Sequence, residues 1–314
     1  MGQVERAARA LREGRLVVFP TETVYGLGAD ALDPQAVARI FAAKGRPADN
    51  PLIVHVADTA AARRLAASWP EAAERLAEAF WPGPLTLVVP KGAHVPDITT
   101  GGLDSVALRV PAHPVAHALL AAAGVPVAAP SANVSGRPSP TRVEDARADL
   151  GDAVAVYVDG GPTDVGLEST VVDVRGPPRI LRPGGVPREA VEAVVGPLAS
   201  SRHEDTARSP GTRYRHYAPR ARVELVAPGV LVERLETLRA EGHRVAVVAS
   251  AENAPQGPDV HVPGPRADAS AWARRLFALL RDLEAGRDVI LVEEPPGEGL
   301  GEAVLDRLRR AAAG

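Results

Sequence analysis

The sequence predicts an α/β protein in two units, a larger one built on a mixed, twisted sheet with flanking helices and a smaller one built on a parallel sheet. Three observations carry the prediction. The chain has 314 residues, enough for two separate cores. Its N-terminal part alternates between short β-branched runs and stretches of helical spacing, then places strands in succession, so its sheet is parallel only in part. Around 200–221 both periodicities vanish, and from 222 a regular strand and helix alternation begins afresh.

Val4, Ala7, Ala8 and Leu11 recur at helical spacing over 4–13, and Gly14 stops that helix. Arg15-Leu16-Val17-Val18-Phe19 is a short apolar strand ended by Pro20. From there to Gly28 the chain reads as a polar, glycine-bearing loop leading toward the next helix. Asp33 supplies the N-cap of that helix and Pro34 its first position; it runs to Lys44 and closes at Gly45. Strand-like runs follow at 52–56, 85–89, 106–110, 125–129, 154–158, 170–174 and 179–181, with helices near 58–68, 71–80, 114–123 and 142–150. Ser209 to Pro219 keeps no period and reads as a linker. Beyond it, strands at 223–226, 244–249, 259–262 and 289–292 and helices near 229–241, 268–285 and 301–312 have the order of a small Rossmann-like parallel unit. No Gly-x-Gly-x-x-Gly turn occurs there, so no nucleotide site is expected in it. The expected division is 1–200, a linker over 201–221, and 222–314.

Composition narrows the function classes. Apolar residues at 46% and charged residues at 24% are those of a soluble globular protein. With no cysteine, disulfides and thiolate metal sites are excluded. Neither a charged-then-apolar leader nor a run of eighteen apolar residues is seen, so a cytoplasmic protein without a membrane span is expected. A net charge of −3 gives no global attraction for nucleic acid, although it leaves room for a local basic cavity.

The rare residues mark that cavity. Lysine occurs only at Lys44 and Lys91, and asparagine only at Asn50, Asn133 and Asn253. Lys44-Gly45-Arg46 puts two cations at a helix end; they either pair with the helix dipole or, since Pro47 turns the chain away, point into a cavity shared with Asn50 and His55. After the run 125–129, Pro130-Ser131-Ala132-Asn133 and on to Ser139 offers small donors that suit close approach to phosphate oxygens, or forms a plain surface loop. Ser105 and Arg109 share one face of a strand, and an arginine there needs an anion, which a bound carboxylate or phosphate would supply. Glu168-Ser169 precedes a strand, and Arg182 sits at a glycine turn.

Lys-x-Arg and Ser-x-Asn, together with Pro-Thr-Glu-Thr-Val-Tyr-Gly-Leu, Trp-Pro-Gly-Pro-Leu-Thr, Leu-Arg-Val-Pro and Gly-x-Glu-Ser-Thr-Val, resemble the threonylcarbamoyl-AMP synthases of tRNA modification over nearly all of 10–190. The linker Ser-Pro-Gly-Thr-Arg-Tyr-Arg-His-Tyr-Ala-Pro and the second unit resemble the long, two-domain form. The resemblance implies an N-terminal sheet whose flanking helices form a concave basic cavity. It implies a nucleotidyltransferase that makes L-threonylcarbamoyladenylate from L-threonine, bicarbonate or CO2 and ATP, releasing pyrophosphate, for adenosine 37 of tRNAs reading codons that begin with A. Carried over residue by residue, it implies threonine contacts at Thr23, His55, Arg109, Ala129 and Ser169. It implies ATP contacts at Arg46, Asn50, Ser105, Ser131, Asn133, Ser139, Arg182 and Tyr217, with Lys44 and Arg46 as the catalytic cations. Mg²⁺ is expected with the nucleotide and has no assigned protein ligand. Protein partners from the tRNA threonylcarbamoyl-transfer machinery are expected, direct tRNA binding is left open, and the linker is expected to fold as a lid with Tyr217 against the nucleotide.

Two other classes fit less well. An RNA-binding module would show a basic stripe with stacking aromatics, against 4% aromatic residues here. A carbamoyl-transfer enzyme of hydrogenase maturation would carry cysteine-rich zinc elements and a longer chain.

Overall fold

The computed structural model describes residues 2–200 and 216–313. Its larger sheet has nine strands in the order β7-β1-β2-β6-β3-β5-β4-β8-β9, where β1 is Val17–Phe19, β2 Gly26–Asp30, β3 Ile53–His55, β4 Leu85–Pro90, β5 Ser105–Arg109, β6 Val127–Ala128, β7 Val156–Tyr157, β8 Thr170–Asp173 and β9 Arg179–Arg182. The pairs β1·β7, β3·β5 and β4·β8 are parallel and the remaining pairs antiparallel, so the sheet is mixed as the strand succession predicted.

Alternation along each strand decides what covers each face. Val18, Leu27, Val54, Leu87, Leu108 and Val172 point to one face, buried under α2 (Pro34–Lys44), α3 (Thr59–Leu65), α4 (Glu71–Phe80), α7 (Val143–Leu150) and α8 (Arg188–Val195). On the other face α1 (Gln3–Arg12) and α6 (Pro114–Ala123) cover Val17, Phe19 and Val127 toward the β7 edge. Ile53, Val88, Ala107, Val171 and Leu181 form a small apolar floor on the rest of the sheet. A short helix, α5 (Asp97–Thr100), precedes β5.

Two local readings need correction. The polar segment after Phe19 does not run to a helix: Thr21 caps a tight turn with its hydroxyl, and the chain returns as β2, antiparallel to β1. Gly26 and Gly28 weaken the strand pattern there, which gives β2 the look of a loop in the sequence. Helix α8 has no counterpart among the elements the spacing predicts.

The second sheet is parallel, in the order β10-β13-β11-β12, with β10 Arg222–Val226, β11 Val245–Val248, β12 Val260–His261 and β13 Val289–Glu293. Helix α9 (Leu231–Ala240) covers one face, and α10 (Ala269–Asp282) with α11 (Leu300–Ala312) the other. The same apolar cluster takes in Val24, Leu167 and Tyr217, so α10 and α11 pack directly on the edge of the first unit. Gly166 marks how close they come. Its φ is +77°, and a Cβ there would collide with the Ala273 carbonyl oxygen. Arg281, from α10, donates to the Pro138 carbonyl and pairs with buried Asp149 at 2.8 Å, while Arg137 pairs with Glu284. Among the described residues no helix is long and apolar enough to cross a membrane.

Candidate active site

The open part of the sheet face carries a cavity of about 620 Å³, its mouth included, walled by residues from loops that leave the sheet. Of the expected residues, Thr23, His55, Arg109, Ala129, Ser169, Arg46, Ser131, Asn133, Ser139, Arg182 and Tyr217 line it together. Thr21, Val24, Glu168 and His216 also line it, and none of them carried an expected role.

The wall around Arg109 follows from strand register. His55 and Arg109 are register partners at the carboxyl ends of parallel β3 and β5, where side chains emerge at a sheet's ligand-facing edge. Arg109 donates from Nε to the Gly83 carbonyl at 3.2 Å, from one terminal nitrogen to Thr23 Oγ1 at 2.9 Å, and from the other to Glu22 Oε1 at 2.7 Å. The anion that an arginine on this strand requires is therefore internal: Glu22 supplies it, where a bound carboxylate or phosphate was expected. Burial would raise the Glu22 carboxyl, but the charge and hydrogen bond of Arg109 outweigh it and hold the group below the usual glutamate value. Burial, reinforced by the Arg109 charge, pushes His55 down to about 3, so its ring is neutral near pH 7. Its ring meets Phe19 edge-on at 6.1 Å.

Elsewhere on the wall Ser139 Oγ donates to Glu168 Oε1 at 2.5 Å. Arg182 donates to the Ser169 carbonyl at 2.9 Å, and Ser169 shares a hydroxyl contact of 2.7 Å with Thr86. His216 is pushed down to about 3 by burial and then by the Arg46 charge. Tyr217 is 4% exposed and stacks on Phe277 of α10 at 5.3 Å, so this linker tyrosine is packed against the second unit where it lines the cavity. Tyr214 and the rest of 201–215 lie outside the described residues.

Lys44 differs most from its expected place. Helix α2 ends at Gly45 with φ 59°, the Gly45 and Arg46 amides returning to Ala42 and Phe41 in a Schellman closure. That closure sends Arg46 to the cavity, where it reaches the Asn50 and Pro51 carbonyls. Lys44 instead turns beneath the wall, 2% exposed, and its ammonium donates to the Ser131 carbonyl at 2.6 Å and to the Asn133 carbonyl. Burial, and secondarily the Arg46 charge, hold it well below the ordinary lysine value. Asn50 is buried without lining the cavity, and its Oδ1 has no partner among the described residues. Ser105, at the far end of β5 from Arg109, is buried away from the cavity.

The donor set does not suit a protein-held metal ion. Glu168 is the carboxylate among the described lining residues, and Ser139 and Arg307 occupy its two oxygens. No cluster of three or more His, Asp or Glu able to hold a metal occurs among the described residues.

Residues 9–184 match the family model of Sua5, YciO and YrdC proteins, described as telomere recombination, and residues 186–313 match the model described as threonylcarbamoyl-AMP synthase, C-terminal domain. The chain is 48% identical over 323 residues to the threonylcarbamoyl-AMP synthase of Pyrococcus abyssi, covering 99% of this chain and 94% of that protein. It is 43% identical over 323 residues to the Bacillus subtilis threonylcarbamoyl-AMP synthase, covering 99% and 93%. The crystal structure of P. abyssi Sua5 complexed with L-threonine aligns with a TM-score of 0.92 at 47% identity, covering 99% of this chain and 94% of that one. On these matches to both halves and to full-length relatives, the chain belongs to the threonylcarbamoyl-AMP synthase family.

Proposed function

We propose that this chain synthesises L-threonylcarbamoyladenylate from L-threonine, bicarbonate or CO2 and ATP, with release of pyrophosphate. The observation that carries the reading is the convergence of Thr23, His55, Arg109, Ala129 and Ser169 with Arg46, Ser131, Asn133, Ser139, Arg182 and Tyr217 on one cavity. The threonine amine forms a bond to the carbon of CO2 and loses a proton, or adds to bicarbonate with loss of water. A carbamate oxygen then attacks the α-phosphorus as the bond to pyrophosphate breaks. The carbamate is already an anionic nucleophile, so the site's task is alignment and charge neutralisation more than proton removal.

Arg109 has five N–H groups and directs three of them at Gly83, Thr23 and Glu22, which leaves two for the α-carboxylate of threonine. Thr23, neutral His55, Ala129 and Ser169 surround the rest of the amino acid. Arg46 and Arg182 offset the charge of the triphosphate, and Ser131, Asn133, Ser139 and Tyr217 hold the nucleotide. Lys44 acts from beneath by fixing the Ser131-Ala132-Asn133 turn. None of the described cavity residues would hold Mg²⁺, and an ion brought by ATP would supply further positive charge for the triphosphate. We assign 1–200 to catalysis, 201–221 to the connection and 222–314 to the second unit. The product serves the threonylcarbamoylation of adenosine 37 in the cytoplasm, handed to protein partners of that machinery.

Pyrophosphate release measured with each component left out in turn tests the reading. Turnover should require threonine, bicarbonate and ATP together. Equal release without threonine, or release of orthophosphate, would refute it.

A further inference from the structure

Arg307, in the second half of α11, is fully buried, and its contacts reach well beyond its own helix. Nε donates to Glu168 Oε2 at 2.8 Å across 139 residues of chain, one terminal nitrogen donates to Asp306 at 2.6 Å, and the other donates to the Pro183 carbonyl at 2.9 Å. The flat cation also lies 5.4 Å from the centre of the Tyr217 ring.

Apart from the contact to neighbouring Asp306, each of these ends on the cavity wall. Glu168 and Tyr217 line the cavity, and Pro183 follows the lining residue Arg182. Glu168 relays the contact further, since its other oxygen accepts the Ser139 hydroxyl at 2.5 Å. Burial alone would raise the Glu168 carboxyl; the nearby charges of Arg307 and then Arg182 hold it below the usual glutamate value instead. An ionised Glu168 is a fixed acceptor that sets the direction of the Ser139 hydroxyl. Without the buried cation from α11, a carboxylate this far from water would take up a proton or turn away.

Arg109 and His55, on the threonine side, have no such charged link to the second unit. Arg109 is held by Glu22, Thr23 and the Gly83 carbonyl, all from the first unit, and His55 sits on β3. The buried charge that the second unit supplies therefore bears on the Glu168 side of the cavity, while Arg109 keeps partners of its own.

We propose that Arg307 is a positioning residue for the nucleotide side of the cavity, through which the second unit sets the directions of Glu168, Ser139, Arg182 and Tyr217. The inference rests on the functional reading above, and it gives the C-terminal unit a task in catalysis beyond adding stability.

Calorimetric titration of the full chain with Mg-ATP and, separately, with threonine tests it, alongside the Michaelis constants in pyrophosphate release. Losing a charge-assisted hydrogen bond that orients a ligand contact weakens binding about tenfold or more. Arg307→Gln should weaken ATP by that factor and leave threonine within about twofold. Arg307→Lys keeps a cation against Glu168 while losing the contact to Pro183, and should restore part of the ATP affinity. The double variant Arg307→Gln, Glu168→Gln should be no weaker for ATP than the worse single variant, because both act through one contact. Equal losses for both ligands, or unchanged ATP affinity, would overturn the proposal. If Arg307→Gln does not fold at the assay temperature, Glu168→Gln carries the same comparison: an ATP-selective loss supports the proposal and an equal loss overturns it. A wild-type chain that binds neither ligand sinks the functional reading itself, a result distinct from a variant that loses both equally.

Discussion

Replacing Lys44 by methionine separates a lysine that touches substrate from one that holds up the wall. The substitution keeps the length of the stem and removes the amine. In the native chain that amine donates to the Ser131 carbonyl at 2.6 Å and to the Asn133 carbonyl, from a side chain 2% exposed. Each buried carbonyl left without a donor costs about 1–3 kcal/mol. The variant recovers part of this, because it no longer buries an ionisable amine. A net loss of about 2–4 kcal/mol follows, which for a folding unit of roughly 200 residues lowers the melting temperature by about 4–16 °C. The loss also depends on pH. Lys44 titrates well below its ordinary 10.5, so between its folded and unfolded values the unfolded chain binds the extra proton and native stability rises with pH. The Lys44→Met variant contributes no such slope, and the stability gap should widen as pH rises toward 10.5. Circular-dichroism melts at about pH 7 and about pH 9.5, both below the unfolded value of 10.5, compare the gap along this slope and measure the stability part. Pyrophosphate release at a temperature where both proteins are folded measures the catalytic part. A variant that melts like the native chain at both pH values yet makes no product would refute the buttress and return Lys44 to the substrate.

Arg109→Lys should weaken threonine far more than ATP, because one ammonium cannot keep Glu22 and Thr23 while binding a carboxylate through two N–H groups; equal losses would place Arg109 among the phosphates. Glu22 is held below its usual value, so its pairing with Arg109 stabilises the fold above the unfolded glutamate value and is lost as pH falls through the folded one; Glu22→Gln should flatten that part of an acid-denaturation curve and raise the threonine Michaelis constant. His55 titrates at about 3, so the rate profile across the neutral range should contain no step from it, and an acid limb near the ordinary histidine value of 6.5 that disappears in His55→Asn would contradict this. Gly166→Ala forces a side chain at φ +77° into contact with the Ala273 carbonyl, and should destabilise the protein by at least about 1–3 kcal/mol in a thermal melt.

Much of the cavity is legible in the sequence because its residues cluster where the chain leaves or enters a strand. His55, Arg109, Ala129 and Arg182 stand at or just beyond strand ends and Ser169 just before a strand begins, and these boundaries follow from composition and turn residues. The misplaced residues share a cause: sequence locates a residue along the chain without telling which way its side chain turns. Lys44 ends a helix, as its Gly45 stop implies, but the closure carries the chain around so that Arg46 faces the cavity and Lys44 faces the backbone of the next wall. Period-two alternation puts Ser105 on the face of Arg109 correctly, yet the strand is longer than the cavity is wide.

Glu22 and Arg307 escape the sequence for a different reason. Each charge balances a partner far away along the chain, Glu22 with Arg109 across 87 residues and Arg307 with Glu168 across 139. Locally, Arg307 lies in a helix rich in surface charge, where a guanidinium ordinarily faces water and pairs weakly with its neighbours. Its burial becomes intelligible only once α11 is docked against the loop that carries Glu168. Docking then requires that the carboxylate beside Ser169 be ionised and that the cation be present, so neither charge is tolerable alone. A substitution at Glu168 and one at Arg307 should therefore show coupled stability effects, the double variant losing less than the two single losses combined. Strictly additive losses in denaturant titrations would mean that the two units meet without this mutual charge dependence.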